Sequence, residues 1–455
     1  MGTLLVKNIA HLVTMNHKGE TLEDAYLFVE DGKITQLGSM ASAPKGADKV
    51  VDGKGMVILP GMINTHHHFY QTLTRNLPNC QDAKLFDWLI YLYDIWAKMT
   101  PEALRSGSLI AAAELLASGC TTAVDHAYVY PDGNTSLFDV EVNALKEAGI
   151  RMHLCRGSMS LSREDGGLPP KCVVQTDDQI LAHCQEVIEK YHEKDDLGMM
   201  RIVLAPCSPF SVTADIMRQT VTLAEEHDVL IHTHLAETED EDDFCMEKVG
   251  MRPAAYLDDL GWMRENAFFA HCVWLNDDEI KLMADRKAGV AHCPTSNMRL
   301  GSGIAPIVPM LKAGVKVSIA VDGSASNDSS NMIAEARQAM LLQRVKYGAS
   351  SMTGLEALEV ATRGGAAVLN RSQTLGSLEV GKAGDFVGID LNTLDYAGAQ
   401  EDPALAPIFC FTKRVELNVV NGEVLIEKGS FTKLDIEKIV AEHNRVAHAM
   451  VESAK

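Results

Sequence analysis

Eight short apolar runs alternate with helix-length segments along most of this 455-residue chain. The runs span residues 57–69, 120–126, 150–156, 200–206, 229–234, 267–271, 289–293 and 315–322, with helical patterns between them, for example at 102–118, 180–190 and 215–227. Apolar runs rich in β-branched residues are typical of buried parallel strands. Because eight strand–helix units in about 270 residues match a (β/α)8 barrel, the sequence predicts an α/β protein with a TIM-type barrel. An open doubly wound sheet is the alternative, but no G-x-G-x-x-G motif follows the first run.

Both ends of the chain have a different pattern, with short strand-like runs joined by tight turns. Asp31-Gly32 and Asn421-Gly422 are strong hairpin signals. We therefore predict a small β-sandwich domain assembled from residues 1–55 and 371–432, next to a barrel of residues 56–370. Residues 433–455 have helical spacing and are expected to pack against the barrel.

Composition narrows the range of partners and compartments. The formal net charge is −21, which argues against nucleic acid or an anionic membrane surface, since both bind a positive face. No apolar run reaches the roughly 18 residues of a membrane span, and the first residues lack a signal-peptide pattern. The 10 cysteines are scattered without a C-x-x-C pair. This pattern favours a reducing cytoplasm over a disulfide framework.

Residues capable of chemistry stand where the apolar runs end. They are His66, His68, His126, Arg156, His234, His271 and Asp322. In a parallel barrel the carboxyl ends of the strands meet at one face, where active sites are built. Residues two apart on a strand point to the same side, so His66 and His68 can hold one ion between them. We therefore expect a metal site at this face.

The residue types suit zinc or iron(II), which accept imidazole and carboxylate ligands and leave one position open for water. The side chains able to supply the protein ligands are His66, His68, His234 and Asp322. Glu237 follows His234 by three residues and is placed to act as a general acid/base. His271 could hydrogen-bond the attacking water or the substrate.

Several neighbouring residues have a structural alternative. His232 alternates with His234 and shares its side of the strand, so spacing alone does not choose between them. His67 should point away from its two neighbours, and His292 lies before the end of its run; both are expected to be structural. Asp125 is either a carboxylate that orients a ligand histidine or a simple strand cap.

Four motifs taken together carry a family resemblance. His66-x-His68, His234-Leu-Ala-Glu237, His271-Cys-Val and the segment 321–327 resemble the amidohydrolase superfamily, in its branch of cytosine, guanine, adenosylhomocysteine and hydroxytriazine deaminases. The resemblance implies one divalent metal ion, with zinc favoured over iron, on the ligands named above. It also implies that Glu237 and Asp322 carry protons and that His271 lies beside the attacking water. Relatives with two metals use a carboxylated lysine where this chain has Ala205-Pro-Cys207, so a single ion is expected. A homo-oligomer is expected from the resemblance alone.

Further stretches, such as 64–75, 205–210 and 293–300, resemble the 8-oxoguanine deaminases within this branch. The activity implied is hydrolytic deamination of a small heterocycle, with 8-oxoguanine going to urate and ammonia. A hydroxytriazine or chlorotriazine amidohydrolase, a guanine, isoxanthopterin or cytosine deaminase, and a non-catalytic scaffold are the alternatives. The candidate substrate contacts are Gln71, Cys207, Arg156 and His271. Three of these have a structural alternative. Gln71 could be an ordinary polar loop residue, Cys207 a buried structural thiol, and Arg156 a member of a structural ion pair.

Overall fold

The computed structural model describes residues 2–410 and 414–455. Its strands are β1 (Thr3–Val13), β2 (Thr21–Glu30), β3 (Lys33–Ser39), β4 (Lys49–Asp52), β5 (Met56–Pro60), β6 (Met62–Asn64), β7 (Cys120–Ala127), β8 (Arg151–Ser158), β9 (Met200–Pro206), β10 (Leu230–Leu235), β11 (Ala267–His271), β12 (Gly289–His292), β13 (Lys316–Ile319), β14 (Phe386–Asp390), β15 (Leu417–Val420), β16 (Glu423–Glu427) and β17 (Ser430–Phe431).

Its helices are α1 (Leu85–Trp96), α2 (Pro101–Ala117), α3 (Ser136–Ala148), α4 (Asp177–Tyr191), α5 (Ala214–His227), α6 (Glu239–Val249), α7 (Pro253–Asp259), α8 (Asp277–Asp285), α9 (Pro294–Arg299), α10 (Ile307–Ala313), α11 (Met332–Tyr347), α12 (Gly354–Glu359), α13 (Gly365–Val368), α14 (Ala406–Phe409) and α15 (Ile436–Glu452). Within the described residues, none of the helices combines the length and the apolar character that a membrane span requires.

The eight strands β6–β13 form a parallel sheet in sequential order, with helices between them. The first and last strands approach each other beyond their ends. There the Thr65 amide donates to the Ile319 carbonyl at 3.4 Å, and the Asp322 amide donates to the His66 carbonyl at 3.1 Å. These bonds bring the sheet close to a closed barrel. The barrel predicted from the eight apolar runs is confirmed.

The first apolar run is divided between two sheets, whereas the sequence pattern suggested a single barrel strand. β5 pairs with β1 and β14 outside the barrel, and only β6 lies within it. Gly61 separates the two. A Cβ atom added at Gly61 would lie 2.0 Å from Thr121 Oγ1, so the chain passes β7 too closely for any larger residue.

Strands from both ends of the chain share one nine-stranded mixed sheet. Its central path runs β17-β16-β15-β14-β5-β1-β2-β3, with β4 paired to β1. The two predicted hairpins are present, joining β2 to β3 and β15 to β16. A buried ion pair links this sheet to the barrel, since Arg151 Nε donates to Asp385 Oδ2 at 2.8 Å and Arg151 Nη2 donates to Asp385 Oδ1 at 3.0 Å.

The C-terminal helix α15 packs against α2 and against the turn Phe69–Thr74, which follows the first barrel strand. His443 makes the polar link: its Nε2 donates to the Thr72 carbonyl at 3.1 Å, and Ser106 Oγ donates to its Nδ1 at 3.0 Å. The last helix therefore supports the turn that carries Gln71.

Candidate metal centre and active site

Four predicted ligand side chains from distant parts of the chain meet at the carboxyl end of the barrel. His66 and His68 follow β6, His234 lies near the end of β10, and Asp322 lies just beyond β13. Asp322 Oδ1 is 3.4 Å from the Nε2 atoms of both His66 and His68. The Nε2 atoms of His68 and His234 are 3.2 Å apart. Ligand atoms this close to one another can share a single ion.

The hydrogen bonds around these imidazoles leave their inner nitrogens free to coordinate. His68 Nδ1 donates to the His126 carbonyl at 2.9 Å, and His234 Nδ1 donates to the Cys207 carbonyl at 2.5 Å. Since a neutral imidazole has one N–H, both Nε2 atoms then carry a lone pair. Two facing lone pairs repel unless a cation lies between them. His66 Nε2 is also buried and has no hydrogen-bond partner among the described residues. The donor set therefore fits a divalent metal.

Asp322 is held as an anion by its surroundings. Burial raises the pKa of its carboxyl, but the neighbouring imidazoles of His66, His271 and His68 hold that pKa well below the usual value. Ser296 Oγ and Ser326 Oγ donate to Asp322 Oδ2 at 2.6 and 3.1 Å. These hydroxyls fix the orientation of the carboxylate.

Glu237 and His271 are adjacent to each other beside the four predicted ligands. Glu237 Oε2 lies 3.4 Å from His271 Nε2. Burial raises the pKa of Glu237 to about 7, although the nearby His271 lowers it. For His271, burial lowers the pKa, but Glu237 and Asp322 outweigh that effect and raise it above its usual value. A carboxyl group with a pKa near neutrality can both accept and donate a proton during turnover.

Asn297 and Glu241 hold this pair in place. His271 Nδ1 donates to Asn297 Oδ1 at 2.9 Å, which directs His271 Nε2 towards Glu237. The backbone amides of Ala236 and Glu237 both donate to the buried Glu241 carboxylate at 2.9 Å. These two hydrogen bonds fix the backbone of the loop after β10 at Glu237.

Several site residues have left-handed backbone conformations, which non-glycine residues adopt uncommonly. The φ angle is +61° at Asp322, +71° at His271 and +50° at Ala236, the residue before Glu237. Strain of this kind collects at functional sites, where the surrounding structure must hold it. Here the three residues lie where the chain leaves β10, β11 and β13.

A narrow cavity opens onto three of the four predicted ligands, His68, His234 and Asp322. Its lining includes His68, Gln71, Leu85, Trp88, Leu89, Tyr93, Tyr128, Cys207, Ser208, Phe210, His234, Glu237, His271, Leu300, Asp322 and Ser326. Of the predicted substrate contacts, Gln71, Cys207 and His271 line it. Gln71 Oε1 is buried without a partner among the described residues. A cleft that combines apolar side chains with several polar groups suits a small heterocyclic ligand.

Arg156 lies outside the described lining of this cavity. Its guanidinium donates to His183 Nδ1 at 2.8 Å, to Gln175 Oε1 at 2.7 Å and to the Gly157 carbonyl, and it stacks over Tyr130. All its donor groups thus face the protein between β8 and α4. This arrangement favours the structural alternative for Arg156.

The pattern of strand ends overlooked some residues of the site. Tyr93 and Tyr128 line the cavity, and Tyr128 follows His126 by two residues at the end of β7, so same-side spacing could have identified it. His126, which the pattern of strand ends did identify, belongs to the imidazole cluster: one ring nitrogen from each of His66, His68, His126 and His234 lies within 4.8 Å of the other three. Its Nε2 donates to the Ala205 carbonyl at 2.8 Å.

Comparison with known proteins places this geometry in a family. The model of the amidohydrolase family matches residues 57–425. The 8-oxoguanine deaminase of Pseudomonas aeruginosa is 46% identical over 426 residues, which cover 93% of this chain and 94% of that protein. The hydroxydechloroatrazine ethylaminohydrolase of Pseudomonas sp. (strain ADP) is 34% identical over 450 residues, covering 96% of this chain and 93% of that protein.

A solved structure has the same fold over almost the whole chain. It is atrazine chlorohydrolase TrzN from Arthrobacter aurescens TC1 complexed with zinc, with a TM-score of 0.93 at 32% identity, covering 98% of this chain and 100% of that chain. Enzymes of this kind use a divalent metal ion, and the buried histidine cluster described above is suited to one. The family match over most of the chain and the similarity to full-length relatives agree with the resemblance predicted from the four motifs: the chain belongs to the amidohydrolase family.

Proposed function

We propose that this protein is a metal-dependent hydrolytic deaminase of a flat N-heterocycle that carries an amino group on a C=N unit. The first candidate reaction converts 8-oxoguanine and water into urate and ammonia. One observation carries the proposal: Glu237 and His271 stand beside a convergent His66, His68, His234 and Asp322 set, and both line the cavity that opens onto it. The similarity to an 8-oxoguanine deaminase supports the choice of substrate.

We propose one divalent ion held by His66, His68, His234 and Asp322. Zinc is favoured over iron because a structural neighbour was solved with zinc. When bound, such an ion lowers the pKa of water towards about 7 and polarises the substrate. The single-ion proposal is supported by the sequence Ala205-Pro-Cys207, which offers no lysine for a second ion.

The residues of this chain divide the proton transfers between them. Glu237 accepts the first proton of the attacking water and delivers it to the ring nitrogen as the C–O bond forms. Asp322 takes the second proton and passes it to the amino group, which leaves as ammonia when the C–N bond breaks. A carboxylate with a lowered pKa holds that proton only briefly, which suits transfer onward. His271 donates a hydrogen bond to the oxygen that develops negative charge.

Substrate recognition is assigned to the polar groups that line the cavity. Gln71 presents an amide with both a donor and an acceptor to one edge of the heterocycle. Cys207 and Tyr93 line the same cavity, and Tyr93 Oη is buried without a partner among the described residues. Burial raises the pKa of Cys207 to about 12, so its thiol is neutral and contributes shape and a weak hydrogen bond.

Ammonia release from a panel of heterocycles tests the proposal. The panel contains 8-oxoguanine, guanine, isoxanthopterin, cytosine, hydroxytriazines and a chlorotriazine, each assayed with the zinc-loaded protein and with its Glu237→Gln variant. We expect the highest kcat/KM with 8-oxoguanine and loss of turnover in the variant. Metal-loaded protein that releases ammonia, an alkylamine or chloride from no member of the panel would overturn the assignment.

A triazine amidohydrolase is the second candidate. The 34% identity to hydroxydechloroatrazine ethylaminohydrolase and the likeness to atrazine chlorohydrolase favour it. Such an enzyme needs the same metal ligands and differs in the cavity. Faster turnover of a hydroxytriazine or chlorotriazine than of any purine in the panel would select this function instead.

A further inference from the structure

His232 is a buried histidine beside the proposed metal centre. Both of its ring nitrogens already make hydrogen bonds. It lies on β10 two residues before His234, so its side chain points to the same side of the strand. Its Nδ1 lies 2.8 Å from the Phe268 carbonyl, and its Nε2 lies 2.7 Å from His66 Nδ1. All three residues are inaccessible to solvent. His232 therefore has no nitrogen left with which to bind an ion.

The donor and acceptor roles of the partners determine which ring nitrogens of His232 and His66 carry a proton. A carbonyl oxygen only accepts, so His232 Nδ1 must donate to Phe268. A neutral imidazole has one N–H, so His232 Nε2 carries a lone pair and accepts. His66 Nδ1 must then be the donor of the 2.7 Å bond. It follows that the proton of His66 sits on Nδ1 and its lone pair on Nε2, the atom that faces Asp322.

The other two histidines of the centre donate from Nδ1 to backbone carbonyls, whereas His66 donates to a side chain. A side-chain acceptor can be removed by mutation without changing the backbone. We infer that His232 is a positioning residue, which fixes the tautomer and the ring orientation of His66 so that its Nε2 lone pair is presented to the metal. This inference rests on the proposed metal centre and assigns His232 no contact with the ion or the substrate.

Three substitutions at His232 separate its hydrogen bonds. In His232→Gln, the Oε1 atom lies as many bonds from Cα as the imidazole Nε2, so it can accept from His66. In His232→Asn, the shorter amide can still donate to Phe268 but does not reach His66. In His232→Leu both bonds are lost. His292→Gln is the matched control, because His292 is equally buried on a nearby barrel strand and contacts none of the four proposed ligands through a described hydrogen bond.

The measurement is the zinc dissociation constant of each variant, from competition with a chromophoric chelator, together with the melting temperature of the metal-free proteins. Loss of a partner that orients a metal-bound histidine lowers metal affinity by about 10–100-fold. We expect that loss for His232→Asn and His232→Leu, and a change within about 3-fold for His232→Gln and His292→Gln. If the leucine variant does not fold, the comparison of glutamine with asparagine still decides the question.

The outcomes distinguish this inference from the proposed function. Wild-type zinc affinity in the asparagine variant would overturn the positioning role. Metal loss in His232→Gln as complete as that in His234→Ala would also overturn it, because His232 would then act as a ligand. A wild-type protein that binds no metal would overturn the proposed function itself.

Discussion

Replacing Glu237 by glutamine should separate the catalytic role of this residue from its effect on stability. The pKa of Glu237 is raised from 4.5 to about 7, chiefly by burial. That rise is about 2.5, and each pKa unit corresponds to about 1.4 kcal/mol, so an ionised Glu237 costs the folded state about 3 kcal/mol. The folded state binds this proton more tightly than the unfolded chain does. The cost is therefore absent below about pH 4.5 and complete above about pH 7.

We therefore expect Glu237→Gln to raise the free energy of unfolding of the metal-free protein by about 3 kcal/mol at pH 8. The gain should shrink as the pH falls from about 7 towards 4.5, because the carboxyl of the unfolded wild-type chain then takes up its proton. Urea unfolding of both proteins in excess chelator at pH 8 and pH 5 measures the difference. A variant that is less stable than wild type at pH 8, or equally stable at both pH values, would contradict the reasoning.

The same substitution should abolish turnover while metal is retained. Removing a general acid/base lowers rates by about 10²–10⁴-fold. In the wild-type enzyme kcat/KM should fall towards acid pH, since Glu237 must be ionised to accept a proton from water, and the charge of a bound ion lowers its pKa from the value of about 7 in the metal-free protein. Near wild-type kcat in the glutamine variant would remove Glu237 from the mechanism.

Three further substitutions test other parts of the structure. Gly323→Ala would place a Cβ atom 1.9 Å from Gln71 Oε1 and so displace the Gln71 side chain. We expect KM to rise by about 10-fold, the loss of about one hydrogen bond to the substrate, with kcat within about 3-fold of wild type. Unchanged KM would remove Gln71 from substrate binding. Asn297→Ala leaves a donor of His271 unpaired, and kcat/KM should fall by about 10–100-fold with metal content unchanged; wild-type kinetics would refute this. Asp385→Asn leaves the buried Arg151 guanidinium without its carboxylate, and urea unfolding at pH 7 should show that the free energy of unfolding falls by about 3 kcal/mol. A fall of less than about 1 kcal/mol would show that this ion pair does not stabilise the contact between the two sheets.

The barrel could be predicted because its signals are local and repeated. Each strand is a short apolar run. The direction of the chain shows which end of a run is its carboxyl end, and therefore which residues lie at the active-site face of the barrel. The run at 57–69 shows where such reasoning stops. Both of its halves are apolar and buried, so composition alone could not separate β5 from β6. The division follows from the close approach of Gly61 to Thr121, a contact between residues 60 positions apart.

The convergence of the four proposed ligands was more predictable than the lining of the cavity, for a similar reason. Ligand residues are chemically distinctive and stand at strand ends, whereas cavity residues such as Tyr93 come from a helix whose aromatic side chains resemble ordinary core. The choice between His232 and His234 was open in the sequence because both point to the same side of β10. The choice depends on which histidine already has hydrogen-bond partners at its ring nitrogens. One partner of His232 is the carbonyl of Phe268 on β11, a different strand, so spacing along β10 could not reveal it.

An anomalous difference map from crystals of the zinc-loaded protein, measured at the zinc absorption edge, tests the central claim most directly. We predict one peak per chain, with His66 Nε2, His68 Nε2, His234 Nε2 and an Asp322 carboxylate oxygen at about 2.0–2.2 Å and Glu237 outside bonding distance. A peak bound by other residues, or no peak at these four side chains, would contradict the account.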